Sequence, residues 1–435
     1  MTTPPMMRTV ALADLTPGDR ARLVTRSAVP DLEVRRLATD IVAAVRSGGD
    51  TALHAANVDY GGGLANGTSR VERRVLEGAL ATVPRDLVDA MRVAEANIRS
   101  WHAPQKPVDL TREIRPGVRV TRAWTPLRRV GVYVPGGGAA YPSSLLMGVV
   151  PAQVAGVAEI VVVSPSDHSG APNPNVLAAA GMLGIEEFHV MGGAQAIGAL
   201  AYGTETIPKV DKIVGPGGRW VTAAKLAVYG DCGIDLPAGP SEAAVVVDDT
   251  ADPRIAAADL LCQAEHGPDS PIVLVATEAP LIEKILAEAA ILATGLEREA
   301  IIRSSLRDHG LAVVAADADE ALRFTEEWAP EHLTLQTAEP ARDATLVPSS
   351  GSVFLGRWTP ESAGDYATGA NHVLPTGGLA RSSGPLSVED FGSWRQIQEL
   401  TREGLTDLAP TILAFAHAEG LTAHAACVDV RLERA

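Results

Sequence analysis

Two side chains at the end of a predicted helix have the chemistry of metal ligands. Gln263 and His266 lie three residues apart after an apolar, alanine-rich stretch, so they share one face of a helix. Gly267-Pro268 then ends that helix, because proline cannot continue the hydrogen-bond ladder. An amide oxygen beside an imidazole at a rigid terminus makes half of a metal site, although hydrogen bonds to the backbone would explain the same pair.

A second group of polar residues lies in the segment 361–372, which is punctuated by glycine and shows no periodicity. We predict a loop there, and loops between α/β elements commonly carry functional side chains. Asp365 offers a carboxylate and His372 an imidazole. Turn chemistry would explain the Gly364-Asp365 pair but would leave His372 without a role.

Glu419 and His424 lie on either side of a predicted helix break at Gly420. On one continuous helix these two side chains would point about 140° apart, whereas a break allows both to face one pocket. A frayed terminal helix is the competing interpretation.

The four candidate metal ligands supply oxygen and nitrogen but no sulfur, which suits Zn²⁺, Mn²⁺ or Co²⁺. They are Gln263, His266, Asp365 and His424. Composition and spacing alone do not bring these residues together in space.

Glu331 and His332 are adjacent and directly precede a predicted strand. Imidazole titrates near neutral pH and burial raises the pKa of a carboxyl group, so each side chain has the chemistry of a general acid or base. A capping glutamate and a surface histidine are the alternative.

Short apolar strands alternate with helices from residue 130 onwards, which predicts parallel sheets with helices on both faces. Glycines cluster after three strands of the first block, as at 136–138, and ligands bind at this edge of open α/β sheets. The segment 192–198 opens a helix after a strand, which suits a phosphate group, although a βα turn without a ligand explains it equally well.

We therefore predict an α/β protein of two Rossmann-like parallel-sheet units, one inserted in the other, plus a helical C-terminal tail. The predicted divisions are an N-terminal arm at 1–30, a discontinuous unit at 31–129 and 243–384, an inserted unit at 130–242, and a tail at 385–435. Helices of the tail are predicted at 387–399, 405–419 and 422–428.

Composition narrows the class of protein. The 435 residues are enough for two large units, and 46% hydrophobic with 21% charged residues is typical of a globular protein. A net charge of -16 without a strong basic cluster argues against nucleic-acid binding. Three cysteines without a CxxC pair suit the reducing cytoplasm, and we find neither a secretory signal nor an apolar run of membrane-spanning length.

Several of these motifs resemble histidinol dehydrogenases, among them Gln-Ala-Glu-His-Gly-Pro-Asp-Ser at 263–270 and Ala-Pro-Glu-His-Leu at 329–333. The other segments that carry the resemblance are 130–137, 192–197, 238–242 and 361–376. It covers essentially the whole chain from about residue 30. It implies two successive NAD⁺-dependent oxidations that convert L-histidinol into L-histidine through a bound aldehyde, the last step of histidine biosynthesis.

The same resemblance implies a role for each candidate residue. The zinc ligands, one ion per subunit, would be Gln263, His266, Asp365 and His424. The acid/base pair would be Glu331 and His332. The substrate contacts would be Ser241, Gln263, His266, His332, Asp365, His372, Glu419 and His424. The NAD⁺ contacts would be Tyr133, Gln195 and Gly218, in the inserted unit. The family forms homodimers in which the C-terminal segment reaches the partner's site, so the tail would be exchanged between subunits.

Three positions depart from the family pattern. Gly148 and Gly218 stand where asparagine is usual, and Pro385 interrupts a segment that usually reads Ser-Gly-Leu. The sequence therefore leaves open a sister NAD-dependent dehydrogenase of another polar alcohol, such as sulfopropanediol, and a non-catalytic zinc-binding homologue. Glu419 and His372 suit an amine and an imidazole and favour histidinol. A zinc hydrolase would leave the glycine-edged unit unexplained.

Overall fold

The computed structural model describes residues 6–64, 68–136, 141–167 and 170–433. Within these residues the helices are α1 (Pro17–Val24), α2 (Leu32–Tyr60), α3 (Arg73–Ala79), α4 (Arg85–His102), α5 (Pro142–Ala155), α6 (Pro174–Met182), α7 (Gly193–Tyr202), α8 (Arg219–Val228), α9 (Pro253–Ala264), α10 (Ala279–Ala293), α11 (Glu299–His309), α12 (Ala318–Trp328), α13 (Pro340–Ala344), α14 (Glu361–Tyr366), α15 (Arg402–Ala418) and α16 (Thr422–Leu432). The strands are β1 (Arg8–Ala11), β2 (Leu110–Arg115), β3 (Val118–Pro126), β4 (Arg129–Tyr133), β5 (Glu159–Ser164), β6 (Glu187–Val190), β7 (Lys212–Val214), β8 (Gly233–Ile234), β9 (Ala243–Val247), β10 (Ile272–Ala276), β11 (Gly310–Val314), β12 (His332–Gln336), β13 (Ser352–Leu355) and β14 (Gly392–Leu400). Gly137 and Gly138 of the predicted glycine turn lie outside the described residues.

Two parallel sheets form the body of the protein, which confirms the predicted α/β class. The six-stranded sheet has the order β1-β11-β10-β9-β12-β13, and the five-stranded sheet has the order β6-β5-β4-β7-β8. Every neighbouring pair in both sheets is parallel. The central strands β9 and β10 are buried along their whole length, as strands covered on both faces must be.

The tail contains a strand that the sequence interpretation placed in a helix. β14 runs antiparallel to β3, from the pair Gly392–Pro126 to the pair Leu400–Val118, and β2 completes a three-stranded sheet. The predicted helix at 387–399 is therefore wrong. Most side chains of β14 are exposed, so no buried face marks its period, and its ladder partner is very distant in the chain.

The N-terminal segments also pack differently from the predicted arm and domain division. β1 adds an edge strand to the six-stranded sheet, and Met7 beside it is buried. The helices α2, α3 and α4 pack on α7 and α8, on α6, and on α5, respectively. These helices therefore pack on the helices that flank the five-stranded sheet, although the prediction grouped 31–129 with the other unit. Val42 and Val45 explain the difference, because they share a core with Ile197 and Leu200 of α7.

The two parallel sheets meet across one cleft. Pro135 and Pro216 follow β4 and β7 at the carboxyl edge of the five-stranded sheet, and both line the cleft. Ser241 and Glu331 precede β9 and β12, so the opposite wall is the amino edge of the six-stranded sheet. Among the described residues, no helix is long and apolar enough to span a lipid bilayer.

Candidate active site

The cleft between the sheets has a volume of about 250 Å³ and gathers most of the residues singled out in the sequence. Those that line it are Gly218, Ser241, His266, Glu331, His332, Asp365 and His372. Gln263 lies beside it, because its Oε1 is 3.4 Å from the Ser241 hydroxyl oxygen. Residues from segments far apart in sequence therefore share one site.

Glu331 and His332 are both buried at the start of β12. Glu331 Oε2 accepts hydrogen bonds from the Ser241 hydroxyl at 2.9 Å and from the backbone N–H of Glu242 at 2.8 Å. Burial raises the pKa of Glu331 well above its usual value, and the carboxylates of Glu242 and Asp365 add to this effect. A carboxylate in such surroundings is a stronger base than one in water.

His332 is oriented by the same backbone segment. Its Nδ1 lies 3.2 Å from the carbonyl oxygen of Glu242, so Nδ1 carries the proton and Nε2 keeps a free lone pair. Burial is the main cause that lowers the pKa of His332 to about 3. The ring stacks against Phe354, with 6.1 Å between centroids. The imidazole is therefore neutral at physiological pH and able to accept a proton.

His266 and Asp365 approach each other as the metal-ligand hypothesis requires. His266 Nε2 lies 3.9 Å from Asp365 Oδ2 and 3.7 Å from Glu361 Oε1. Burial lowers the pKa of His266 and raises that of Asp365 to about 6. Two atoms that bind one ion at about 2 Å lie roughly 3 to 4 Å apart, so this spacing fits a shared cation.

Gln263 supports the same fit. Its side chain is completely buried, and its Nε2 has no hydrogen-bond partner among the described residues. Buried amide groups almost always find partners. A rotation of the amide by about 180° places Oε1 at the unpartnered position, where it can bind a cation, and lets Nε2 donate to the Ser241 hydroxyl oxygen. The donor set of one amide, one imidazole and carboxylates matches Zn²⁺ or a similar divalent ion.

His372 and Ser144 form a second polar pair in the lining of the cleft. His372 Nδ1 donates to the carbonyl oxygen of Asp365 at 3.0 Å, which leaves Nε2 as the acceptor for the Ser144 hydroxyl at 3.3 Å. Burial lowers the pKa of His372 to about 4. This neutral pair suits hydrogen bonding to a polar substrate.

Glu419 and His424 do not join the cleft of their own chain. Both side chains are exposed, and neither lines the cleft. The predicted break between them is present, because α15 ends at Ala418, Gly420 has φ of +71°, and α16 begins at Thr422. Their proposed roles in a partner's site therefore stay predictions.

A second cavity of about 440 Å³ lies at the carboxyl edge of the five-stranded sheet. Gln195 lines it together with Gly62, Gly136 and Gly192. A Cβ added at Gly192 would lie 2.7 Å from Pro165, so the backbone there approaches its neighbour as only glycine allows. Helix α7 begins at Gly193 without a side-chain cap, which leaves the N–H groups that follow Gly193 in its first turn available to an anion.

The other two predicted cofactor contacts occupy different positions. Tyr133 is buried beneath the second cavity, and its hydroxyl accepts the Gly193 N–H at 3.2 Å. Burial raises the pKa of Tyr133 to about 12. Gly218 precedes α8 on the rim of the main cleft, and an added Cβ there would meet nothing within 4 Å. Pro135 lines the main cleft and Gly136 lines the second cavity, so the turn after β4 contributes to both.

The fold and the cleft define an α/β protein with a buried Glu331–His332 pair and a candidate metal site between two parallel sheets. The family model described as histidinol dehydrogenase matches residues 24–432. The chain belongs to the histidinol dehydrogenase family and is an oxidoreductase.

Relatives with this name span the whole chain. The histidinol dehydrogenase of Halobacterium salinarum is 46% identical over 427 residues, which is 97% of this chain and 99% of that protein. The Haloarcula marismortui histidinol dehydrogenase is 46% identical over 98% of this chain and 100% of its own length. The crystal structure of histidinol dehydrogenase from Elizabethkingia anophelis has a TM-score of 0.91 and 36% identity, with 99% of each chain covered.

Sequence reasoning missed Glu361 and the support provided by Glu242. Glu361 opens α14, a short helix in the segment that we predicted as a loop. The spacing of four between Glu361 and Asp365 was the available signal, because residues four apart share one helix face. Glu242 acts through its main chain, and no side-chain pattern reveals such a contact.

Proposed function

We propose that this protein oxidises L-histidinol to L-histidine in two NAD⁺-dependent steps through a bound histidinaldehyde. The observation that carries the proposal is the meeting of Glu331 and His332 with His266 and Asp365 in one cleft. That cleft opens towards the glycine turns of the five-stranded sheet, through Pro216 and its neighbours. Membership of the family and the relatives' names agree with this reaction.

The candidate zinc ligands are Gln263, His266 and Asp365, with His424 supplied by a second subunit of a homodimer. A bound Zn²⁺ ion would hold and orient the polar groups of the substrate, since zinc has no redox chemistry of its own. Fixing the alcohol carbon in the cleft removes much of the entropy cost of reaction. The unpartnered position at the Gln263 amide supports this assignment, because rotation of the amide places its oxygen there.

NAD⁺ would occupy the cavity beside Gln195 and extend past Gly218 towards the main cleft. The nicotinamide supplies the hydride acceptor for both oxidations. The uncapped start of α7 suits the pyrophosphate of a dinucleotide. Tyr133 would fix this helix start through its contact with Gly193.

In the first oxidation, His332 accepts the hydroxyl proton of the alcohol as the carbon loses hydride, which yields the aldehyde. Its neutral ring and its fixed Nδ1 proton suit it to this role. In the second, Glu331 removes a proton from water as the water adds to the aldehyde, and the hydrate then loses hydride. Each histidinol consumes one water and reduces two NAD⁺, and three protons are released.

Polar contacts to the substrate would come from Ser241 and His372, with Glu419 of the second subunit facing its ammonium group. The Ser241 hydroxyl already donates to Glu331, so one rotation redirects it to a ligand.

Three unpaired cysteines among the described residues agree with a reducing cytoplasm.

The test is spectrophotometric NADH formation with L-histidinol in zinc-containing buffer, together with identification of the product. We expect two NADH for each histidinol and L-histidine as the product. A matched assay with sulfopropanediol examines the sister-dehydrogenase alternative. Turnover of sulfopropanediol without turnover of L-histidinol would contradict the proposal. Zinc binding without any NADH formation would also contradict it.

A further inference from the structure

Glu361 is a buried carboxylate that lacks the partners a buried charge normally has among the described residues. Its side chain is 1% exposed at the first turn of α14. Its Oε1 has no hydrogen-bond partner among the described residues. An isolated carboxylate in such surroundings is costly, so buried carboxylates are paired with a cation or bind a metal.

The surroundings of Glu361 offer like charge and one neutral ring, and no lysine or arginine of the described residues forms an ion pair with it. Asp365 lies one helical turn later on the same face of α14, and Glu331 and Asp259 act on Glu361 as nearby carboxylates. His266 Nε2 lies 3.7 Å from Glu361 Oε1. Because the ring of His266 also lies 3.9 Å from Asp365, one histidine would have to balance two carboxylates.

A divalent cation would satisfy all three groups at once. One ligand atom from each of His266, Glu361 and Asp365 lies within 4.8 Å of the others. His266 is about one-third exposed and lines the cleft, so an ion can reach the trio from solvent. Two carboxylates and a neutral imidazole around a dication give a site of zero net charge, which is favourable in a buried position.

We propose that Glu361 is a direct ligand of the divalent cation, so that His266, Glu361 and Asp365 bind it within a single chain. The inference rests on the metal site of the proposed function but not on its substrate or its redox chemistry. It predicts that cation binding precedes any contribution from the tail of a second subunit. Substrate nitrogen atoms would then compete with Glu361 for positions around the ion.

The experiment compares full-length wild type, Glu361→Gln and Asp259→Asn after removal of metal with a chelator. Zn²⁺ is titrated in competition with a chromophoric chelator, without substrate or NAD⁺. We expect Glu361→Gln to bind Zn²⁺ about 100-fold more weakly, because the ion loses a ligand. Loss of a supporting partner typically weakens metal binding 10- to 100-fold, so the expected loss lies at the upper end of that range. Asp259→Asn also removes a buried carboxylate, but that carboxylate has its own amide donor, so its affinity should stay within about threefold of wild type.

Two further readouts separate a ligand from a supporting residue. The visible absorption of bound Co²⁺ should change in Glu361→Gln and stay unchanged in Asp259→Asn, because it reports the atoms bound to the ion. Glu361→Asp keeps the carboxylate and should bind with intermediate affinity, which covers the case that Glu361→Gln does not fold. Wild-type Zn²⁺ affinity and Co²⁺ spectrum in Glu361→Gln, or equal losses in Glu361→Gln and Asp259→Asn, would overturn the inference. Failure of wild type to oxidise L-histidinol would instead overturn the proposed function and leave this result standing.

Discussion

Arg26 and Glu242 form a two-point ion pair next to Glu331 and His332. Arg26 Nε lies 2.9 Å from Glu242 Oε2, and Arg26 Nη2 lies 2.6 Å from Oε1. The guanidinium also lies over the ring of Trp328, 3.5 Å from its centroid. The main chain of Glu242 donates to Glu331 and accepts from His332. A single buried pair therefore anchors the residue whose two peptide groups contact both catalytic candidates.

Replacing Arg26 with Gln should destabilise the protein and slow the reaction. Glu242 would remain buried without its cation, and breaking a buried pair typically costs about 3–5 kcal/mol. Because the Glu242 peptide would lose its anchor, we expect kcat to fall by about tenfold or more while KM for L-histidinol changes less. Urea unfolding and steady-state kinetics measure the two effects.

The double variant Arg26→Gln/Glu242→Gln tests the pair itself, since removing both charges should cost less than the sum of the single changes. Arg36→Gln is the matched control, because Arg36 pairs with Asp40 on the exposed face of α2. That exposed pair should contribute less than about 1 kcal/mol. Equal losses in Arg26→Gln and Arg36→Gln would contradict the anchoring role.

Asp259 should make stability depend on pH. It is buried on α9, where burial raises its pKa from 3.8 to about 6 despite a hydrogen bond from Gln336. The folded state therefore holds a proton that the unfolded state has already released between pH 3.8 and 6. Stability from this group is complete below pH 3.8 and is lost as the pH rises through about 6.

Asp259→Asn removes this dependence and should stabilise the metal-free protein above pH 6. An asparagine amide can also donate to Gln336 Oε1, which lacks a partner among the described residues. A shift of about two pKa units corresponds to about 3 kcal/mol, so the gain should grow from near zero at low pH to about 1–3 kcal/mol at pH 8. Denaturant unfolding across this range measures it, and parallel stability curves for the two proteins would exclude the mechanism.

Gly218 and Gly148 should respond in opposite ways to replacement by asparagine. A Cβ at Gly218 meets open space, whereas a Cβ at Gly148 would lie 2.6 Å from Val132 Cγ1. Gly218→Asn places a preferred N-cap residue at the start of α8 and a polar group on the cleft rim. We expect unchanged or slightly higher stability and a KM for NAD⁺ lower by a few-fold.

Gly148→Asn should instead lose about 1–3 kcal/mol from overpacking, and Val132→Ala in the same chain should recover part of that loss. Thermal unfolding of the three variants provides the comparison. A higher KM for NAD⁺ in Gly218→Asn would contradict this expectation. It would show that NAD⁺ binding needs the space beside Gly218 and not an additional side-chain contact there.

The parallel sheets could be predicted because their strands are short, wholly apolar and regularly spaced by helices. β9 and β10 are examples, since burial on both faces leaves an uninterrupted apolar run. β14 could not be predicted, because most of its side chains are exposed and because its partner strand β3 is very distant in the sequence. Alternation between polar residues gives no signal of strand period.

The site was predictable where side chains carry the chemistry and not where the backbone does. Gln263, His266, Glu331 and His332 were found from residue type and spacing, and the structure brings them to one cleft or its wall. The position of that cleft at the amino edge of the six-stranded sheet was not foreseen, since ligands usually bind at carboxyl edges. The reason is that α9 returns along the sheet and ends beside the starts of β9 and β12.

His332→Ala and His266→Ala should separate proton transfer from metal binding. His332 Nδ1 contacts the backbone of Glu242, and no described contact joins it to Asp365. We expect His332→Ala to lose turnover by 10²-fold or more, about the contribution of a general base, while it keeps bound Zn²⁺. His266→Ala should lose both turnover and metal.

Metal content after gel filtration and steady-state kinetics provide the measurements for both variants. His309→Ala is the control, because His309 is exposed at the end of α11 and does not line the cleft. Full metal content in His266→Ala would contradict the ligand assignment.

The exposed position of His424 predicts that two inactive variants restore activity when their subunits mix. His266→Ala damages the cleft of its own chain, whereas His424→Ala would damage the cleft of its partner. A mixed dimer then contains one cleft with both defects and one with neither. Random exchange makes half of all dimers mixed, so about one-quarter of wild-type activity should return in a symmetric two-subunit protein. Co-expression with two different affinity tags isolates the mixed dimer for kinetic assay. If His424 served its own chain, every cleft would carry one defect and the isolated mixed dimer would stay inactive.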